Sequence, residues 1–273
     1  MTIAEILLAL SGTPADAVAL DTAFAAAAPF GAHVTALYAV QDAREAVSAA
    51  DLREAVPARG ERLAGAREET RLAFAGAARK ADAAIRAGAA RCGTLSASYR
   101  EVPGALAGVF SDAALFADLV VFPHGAAEGA QRAAFVRLLT QSEKPVLLAG
   151  KVAARPSRIA VGWDGSLPAA RAMTAALPLL EKAGTVELLV VGECTGIAAA
   201  EALEYLALHG VTASVRTLGA APVPVGRTLL AGAEDADLLV LGAYGHSRLL
   251  ERLFGGVTAH VLADADRAIL LAH

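Results

Sequence analysis

The chain has 273 residues, 24 Lys and Arg against 28 Asp and Glu, a formal net charge of −4 and 56% hydrophobic residues. An acidic balance without a basic patch lacks the electrostatic footprint of nucleic-acid binders, so no nucleic-acid partner is expected. The most apolar stretch, Val102 to Phe122, is broken by Ser111, Asp112 and Asp118, so no membrane span is expected; Cys92 and Cys194 lie far apart with no companion ligand, so neither a disulfide framework nor a zinc site is expected.

Met1 to Leu10 reads as a strand with Glu5 inside it, and no basic stretch precedes it. A signal peptide is therefore not expected, and the protein is placed in the cytoplasm. From Gln41 to Gly93 the sequence is rich in Ala, Arg and Glu. Pro57 is expected to break this insert and Arg59 to Ala90 to form a long helix, either packed on a sheet by its apolar stripe or serving as a lid or docking arm. Gly150 to Ser157, with Gly, Pro and polar residues, is the expected linker. Beyond it come strand Arg158 to Trp163, helix Leu167 to Lys182, strand Thr185 to Val191 and a helix from Thr195 to His209 closed at Gly210. Strand Val211 to Leu218, a helix after Pro222 and Pro224, and strands Asp237 to Leu241 and Ala268 to Ala272 complete five. Short β-branched runs alternating with helical segments predict a parallel sheet covered on both faces.

Three phrases recur in order. Ile6-Leu-Leu-Ala-Leu-Ser11-Gly-Thr13 matches Ile159-Ala-Val-Gly-Trp-Asp164-Gly-Ser166, Ala117 to Pro123 matches Ala236 to Gly242, and Pro145 to Ala149 matches Ala268 to Ala272. The repetition predicts two tandem doubly wound α/β domains. The first spans 1–150 with its helical insert at about 41–93, and the second spans 156–273. The final strand of each copy is expected to pair with the other, making the chain an intramolecular pseudo-dimer, with further homo-oligomerisation left open.

After the run Asp237 to Leu241 comes a glycine-punctuated loop, Gly242-Ala-Tyr-Gly245-His-Ser-Arg248-Leu-Leu-Glu-Arg-Leu-Phe-Gly255-Gly256-Val257-Thr258. Glycine lets backbone N–H groups approach phosphate oxygens, and a helix starting near Gly256 would add its positive end. Gly-x-x-Gly, nine residues, then Gly and a small residue resembles the motif of the universal stress protein family. That resemblance implies adenine-nucleotide alpha-hydrolase-like domains and ATP, with Mg as a companion ion, held in the second copy. By the same resemblance Asp164 contacts the adenosine moiety, Val191 the adenine edge through its backbone, and Gly242, Gly245, Gly255, Gly256, Val257 and Thr258 the phosphates.

Arg248 is a candidate for neutralising phosphate charge. Asp164 has an alternative as a helix cap, a task Ser166 can perform instead. The family's ATP binders carry Ser or Thr where this chain has Gly256, and one neutral hydrogen bond is worth about 0.5–1.5 kcal/mol, so weakened binding is expected. His246 has no acid in the motif to orient it, and no Walker lysine occurs, so the resemblance implies at most a slow ATPase. The first copy has Ser11, Pro123 and Ala126 where the second has Asp164, Gly242 and Gly245, and is read as degenerate. The expectation is a stress-response protein that binds ATP and acts as a regulatory or interaction module with unknown protein partners. A nucleotide-independent interaction module and an adenylyl-transfer-type enzyme are the alternatives.

Overall fold

The computed structural model describes residues 2–40, 52–86, 93–127, 129–142, 144–194, 196–219, 223–243 and 266–273. Its first strand, β1 (Glu5–Leu10), is apolar on both sides: Leu8 and Leu10 enter one core, Leu7 and Ala9 the other. Such a run suits a central parallel strand covered by helices above and below. The same is true of β5 (Leu119–Phe122), β7 (Arg158–Gly162), β10 (Leu238–Gly242) and β11 (Ala268–Ala272).

The remaining strands are β2 (His33–Val40), β3 (Ala84–Ile85), β4 (Ser96–Pro103), β6 (Val146–Leu148), β8 (Thr185–Val191) and β9 (Ala213–Leu218). Among the described residues all form one 11-stranded sheet in the order β3-β4-β2-β1-β5-β6-β11-β10-β7-β8-β9. Each half is internally parallel, and the halves meet in an antiparallel pair in which Val146, Leu147 and Leu148 face Leu271, Leu270 and Ile269. The two final strands thus lie edge to edge, as expected from their exposed apolar pairing groups. The arrays are not separate sheets; this contact fuses them, and β3 adds a two-residue edge to the first.

One face is covered by α1 (Ala15–Ala27), α2 (Leu52–Lys80), α5 (Leu167–Leu180) and α6 (Ala199–Leu208). The other carries α3 (Leu106–Ala114), α4 (Arg132–Gln141) and α7 (Val225–Gly232). Phe122 makes edge-on contacts with Phe110 and Phe135, locking α3 and α4 to β5.

The insert departs from expectation at both ends. Helix α2 starts at Leu52 and runs through Pro57, then stops at Lys80 rather than Ala90. Asp82 adopts a left-handed backbone, φ 54°, and Ala83 N–H returns to Ala78 O at 2.9 Å, a helix-ending turn made without glycine. Strands β2 and β4 were not singled out by pattern. In β4 the polar sequence Ser-Ala-Ser-Tyr-Arg-Glu obscures the strand, and Ser96 and Ser98 are buried because they hydrogen-bond the two nitrogens of His33 at 2.8 and 3.0 Å. Strand β9 begins at Ala213, not Val211, and is an outer edge, mostly exposed. Helix α6 starts at Ala199 instead of Thr195, and Thr195 lies outside the described residues.

Candidate functional site

In the second half the strand order β11-β10-β7-β8-β9 reverses direction between β7 and β10. Loops leaving adjacent strands at such a point run to opposite faces, so a crevice opens beyond their carboxyl ends. Asp164 and Gly242 flank that crevice.

Asp164 follows β7 and is exposed, with Oδ1 accepting the Ser166 N–H at 2.9 Å. Ser166 in turn caps α5, its Oγ accepting the Ala169 N–H at 3.3 Å. Capping therefore falls to Ser166, as the alternative to Asp164 required. Between them Gly165 has φ +78°, and a Cβ there would lie 2.5 Å from the backbone N and O of Ile197. Its carbonyl accepts the Ile197 N–H at 3.0 Å, while buried Trp163 donates from Nε1 to Ile197 O at 3.1 Å. The loop after β8 is thereby bolted onto the loop after β7. Pattern reading missed Gly165, Trp163 and Ile197; the Asp-Gly-Ser turn was the one visible signal.

Gly242 ends β10 with its α-carbon against the first turn of α5. A Cβ would sit 2.4 Å from Pro168 C and 2.6 Å from Ala169 N. This glycine is thus required for strand-to-helix packing, apart from any contact with a ligand. Pro168 has no N–H and Ala169 N–H is used by Ser166, so the first turn of α5 has little left for an anion. Val191 closes β8 in register with Leu218 and is half-buried. The structure brings Asp164, Val191 and Gly242 to the carboxyl ends of three neighbouring strands. Gly245, Arg248, Gly255, Gly256, Val257 and Thr258 lie outside the described residues, as does His246. Among the described residues no group of three or more His, Cys, Asp or Glu is arranged to hold a metal.

The matching crevice in the first half, between β1 and β5, is filled from within. Gln131, buried at the start of α4, donates from Nε2 to Ala9 O at 3.1 Å and Leu10 O at 2.9 Å. Ser11 N–H and Oγ and Gly12 N–H all donate to the buried carboxylate of Asp16, at 2.8, 2.6 and 2.8 Å. Burial nonetheless raises the Asp16 pKa, the hydrogen bonds opposing it in part. Helix α2 lies over the same loop: a Cβ on Gly12 would meet Tyr38 at 3.1 Å and Ala66 at 3.5 Å. Further along, Arg67 pairs with Glu101 and holds its carboxyl below the ordinary carboxylate range, and Tyr99 OH donates to that carboxyl at 3.0 Å. Ala126, aligned by sequence with Gly245, is buried. No motif marked Gln131, which the turn after β5 carries to the start of α4 and into the crevice.

Duplicated doubly wound halves joined through their last strands define a tandem α/β protein. Residues 195–273 match the universal stress protein family. That match covers the C-terminal part of the chain, and the solved structures that resemble the whole chain include a universal stress protein. Among solved structures the chain is similar to a universal stress protein from Archaeoglobus fulgidus DSM 4304, at 13% identity and TM-score 0.67 over 98% of this chain and 95% of that one. It is also similar to a functionally unknown protein from Pseudomonas aeruginosa PAO1, at 16% identity and TM-score 0.55 over 99% and 92%. A universal stress protein in complex with cAMP is 24% identical over 43% of this chain and 97% of that one, with a TM-score of 0.33. A comparison with curated proteins finds no match.

Proposed function

We propose that the chain binds one ATP, with Mg as companion ion, in its second half and hydrolyses it slowly or not at all. Its output is that of a cytoplasmic regulatory or interaction module in stress response. The observation that carries this reading is the pairing of Asp164 and Gly242 at the β7–β10 switch point, directly ahead of the glycine-punctuated segment. Asp164 is exposed and its carboxylate suits ribose hydroxyls or an adenine amino group. Because α5 spends its first turn on its own cap, the phosphates depend on donors from Gly245, Gly255, Gly256 and the residues beside them. Val191 adds a backbone edge, Thr258 a hydroxyl, and Arg248 a charge. Phosphoryl transfer requires a positioned nucleophile and charge, and the motif has neither a Walker lysine nor an oriented base, which favours binding over turnover.

The test is mass spectrometry of small molecules released from freshly purified protein, followed by calorimetric titration with ATP. Adenine nucleotide released and a stoichiometry of one per chain are expected. Failure to bind ATP at millimolar concentration would favour the nucleotide-independent interaction module.

A further inference from the structure

We infer that strand β9 is the docking edge for a second copy of this chain, which pairs with it antiparallel about a two-fold axis at Val215. The outer strands of the sheet are β3 and β9, and they are built differently. Strand β3 is two residues long and is followed by Arg86, and so short an edge offers a partner little to pair with. Strand β9, Ala-Ser-Val-Arg-Thr-Leu, is six residues long and contains neither the proline nor the lysine that commonly guards an edge. Its one charge does not guard it either, because Arg216 folds back over its own sheet to Glu187 Oε2 at 2.7 Å and to Gly232 O. Ser214 to Thr217 are exposed whichever face they point to. The middle of β9 therefore stands clear of α6 and α7 as a ledge, which another strand can approach from the side.

Alternate residues of a strand turn their backbone groups to opposite sides, and the Gly192 N–H bond to Leu218 O at 3.0 Å fixes which way each residue of β9 faces. Ser214, Arg216 and Leu218 turn to β8, while Ala213, Val215 and Thr217 turn outward. Among the described residues no further strand takes up those outward groups. Their spacing is symmetric about Val215. An antiparallel second copy centred there sets each Val215 opposite the other, and each Ala213 opposite the second copy's Thr217, so every outward N–H and C=O finds a partner. Two β-branched side chains opposed in this way stabilise a strand pair, and Val215, 37% exposed in the single chain, is covered by its own counterpart. On the other face each Ser214 meets the second copy's Arg216, which keeps its own Glu187, so no charged side chain directly faces its like. The chain already uses this mode of contact where β6 and β11 join its halves. The ATP reading concerns the crevice between β7 and β10, inward of this edge, so the two are separable.

The experiment is sedimentation of the full chain from about 1 to about 100 μM, the range in which an interface of this small size associates reversibly. A monomer giving way to a dimer as concentration rises is expected. Val215→Lys and Val215→Glu each set like charges against one another at the axis, and each should weaken the dimer about tenfold or more. Mixing the two variants in equal amounts sets Lys against Glu and should restore it. A parent chain that stays monomeric throughout, an association unchanged in both variants with native circular dichroism spectra, or no recovery on mixing would each overturn the inference. Should a charge variant fail to fold, Thr217→Pro takes its place, since it removes an outward N–H that no strand among the described residues uses. Association unchanged in Thr217→Pro would overturn the inference equally.

Discussion

The two crevices descend from the same topology, yet their side chains have opposite uses. In the first half, Gln131 reaches back to the end of β1, Asp16 gathers the β1 loop onto itself, and α2 lies across the top. In the second half, the loop after β7 is fastened sideways to Ile197, leaving Asp164 exposed, while Gly242 lets β10 close onto α5. Hydrogen-bonding capacity that closes one crevice is, in the other, spent around its rim. The lesson is that polar groups which satisfy one another can close a crevice that the same topology leaves open elsewhere.

The largest effect expected from a single substitution is at Gly165. Alanine there meets both a left-handed backbone and the Ile197 backbone at 2.5 Å, so Gly165→Ala should lower stability by about 3 kcal/mol. Its counterpart Gly12→Ala has the same handedness but only a side-chain neighbour at 3.1 Å, and about 1 kcal/mol is expected. Equal shifts in the urea midpoint would show that the two loops are braced alike. Next, Gly245→Val should weaken ATP at least about tenfold by placing a branched side chain in the phosphate path, with the circular dichroism spectrum unchanged. Titrated affinity equal to that of the parent chain would remove the second half as the ATP site. Gln131→Leu deletes two hydrogen bonds to β1 along with an unpartnered Oε1, so a loss of only about 1 kcal/mol is expected. ATP stoichiometry should stay at one; a rise to two would mean that Gln131 alone was closing a working site.

The smallest effect is a pH dependence confined to the first half. Asp16 has a folded-state pKa raised above 3.8, so the folded state holds its proton more tightly than the unfolded chain. The stabilisation is fully present below the unfolded pKa and fades as the pH rises through the folded one. Chemical denaturation of the parent and of Asp16→Asn should therefore show the parent's relative stability declining from about pH 4 upward. A relative stability that grew over that range would contradict the burial argument.

Strands β1, β7, β8 and β11 were legible because unbroken apolar runs bounded by turn residues leave few other readings. The seam was legible too, since Pro145 to Ala149 and Ala268 to Ala272 are the same phrase and each needs an edge partner. Strand β4 was not, because its serines are buried through His33, a partner 63 residues away for Ser96, and no local pattern carries that information. Helix α2 ended early for a related reason: Asp82 takes a conformation that glycine would have announced. Asp164 and Gly242 were singled out by motif as candidates, while the Gly165–Ile197 contact and the Gln131 plug depend on which loops meet in space.

The antiparallel pair of β6 and β11 has a consequence for how such a molecule changes over generations. In a dimer of identical subunits every substitution is written twice, so a change that closes one crevice closes both. Here the two sides of the same contact belong to one polypeptide and each codon is read once. Dilution cannot part the halves without breaking the chain's own fold. One side is thus free to fill its crevice, as Gln131 does, while the other keeps Asp164 exposed at its rim.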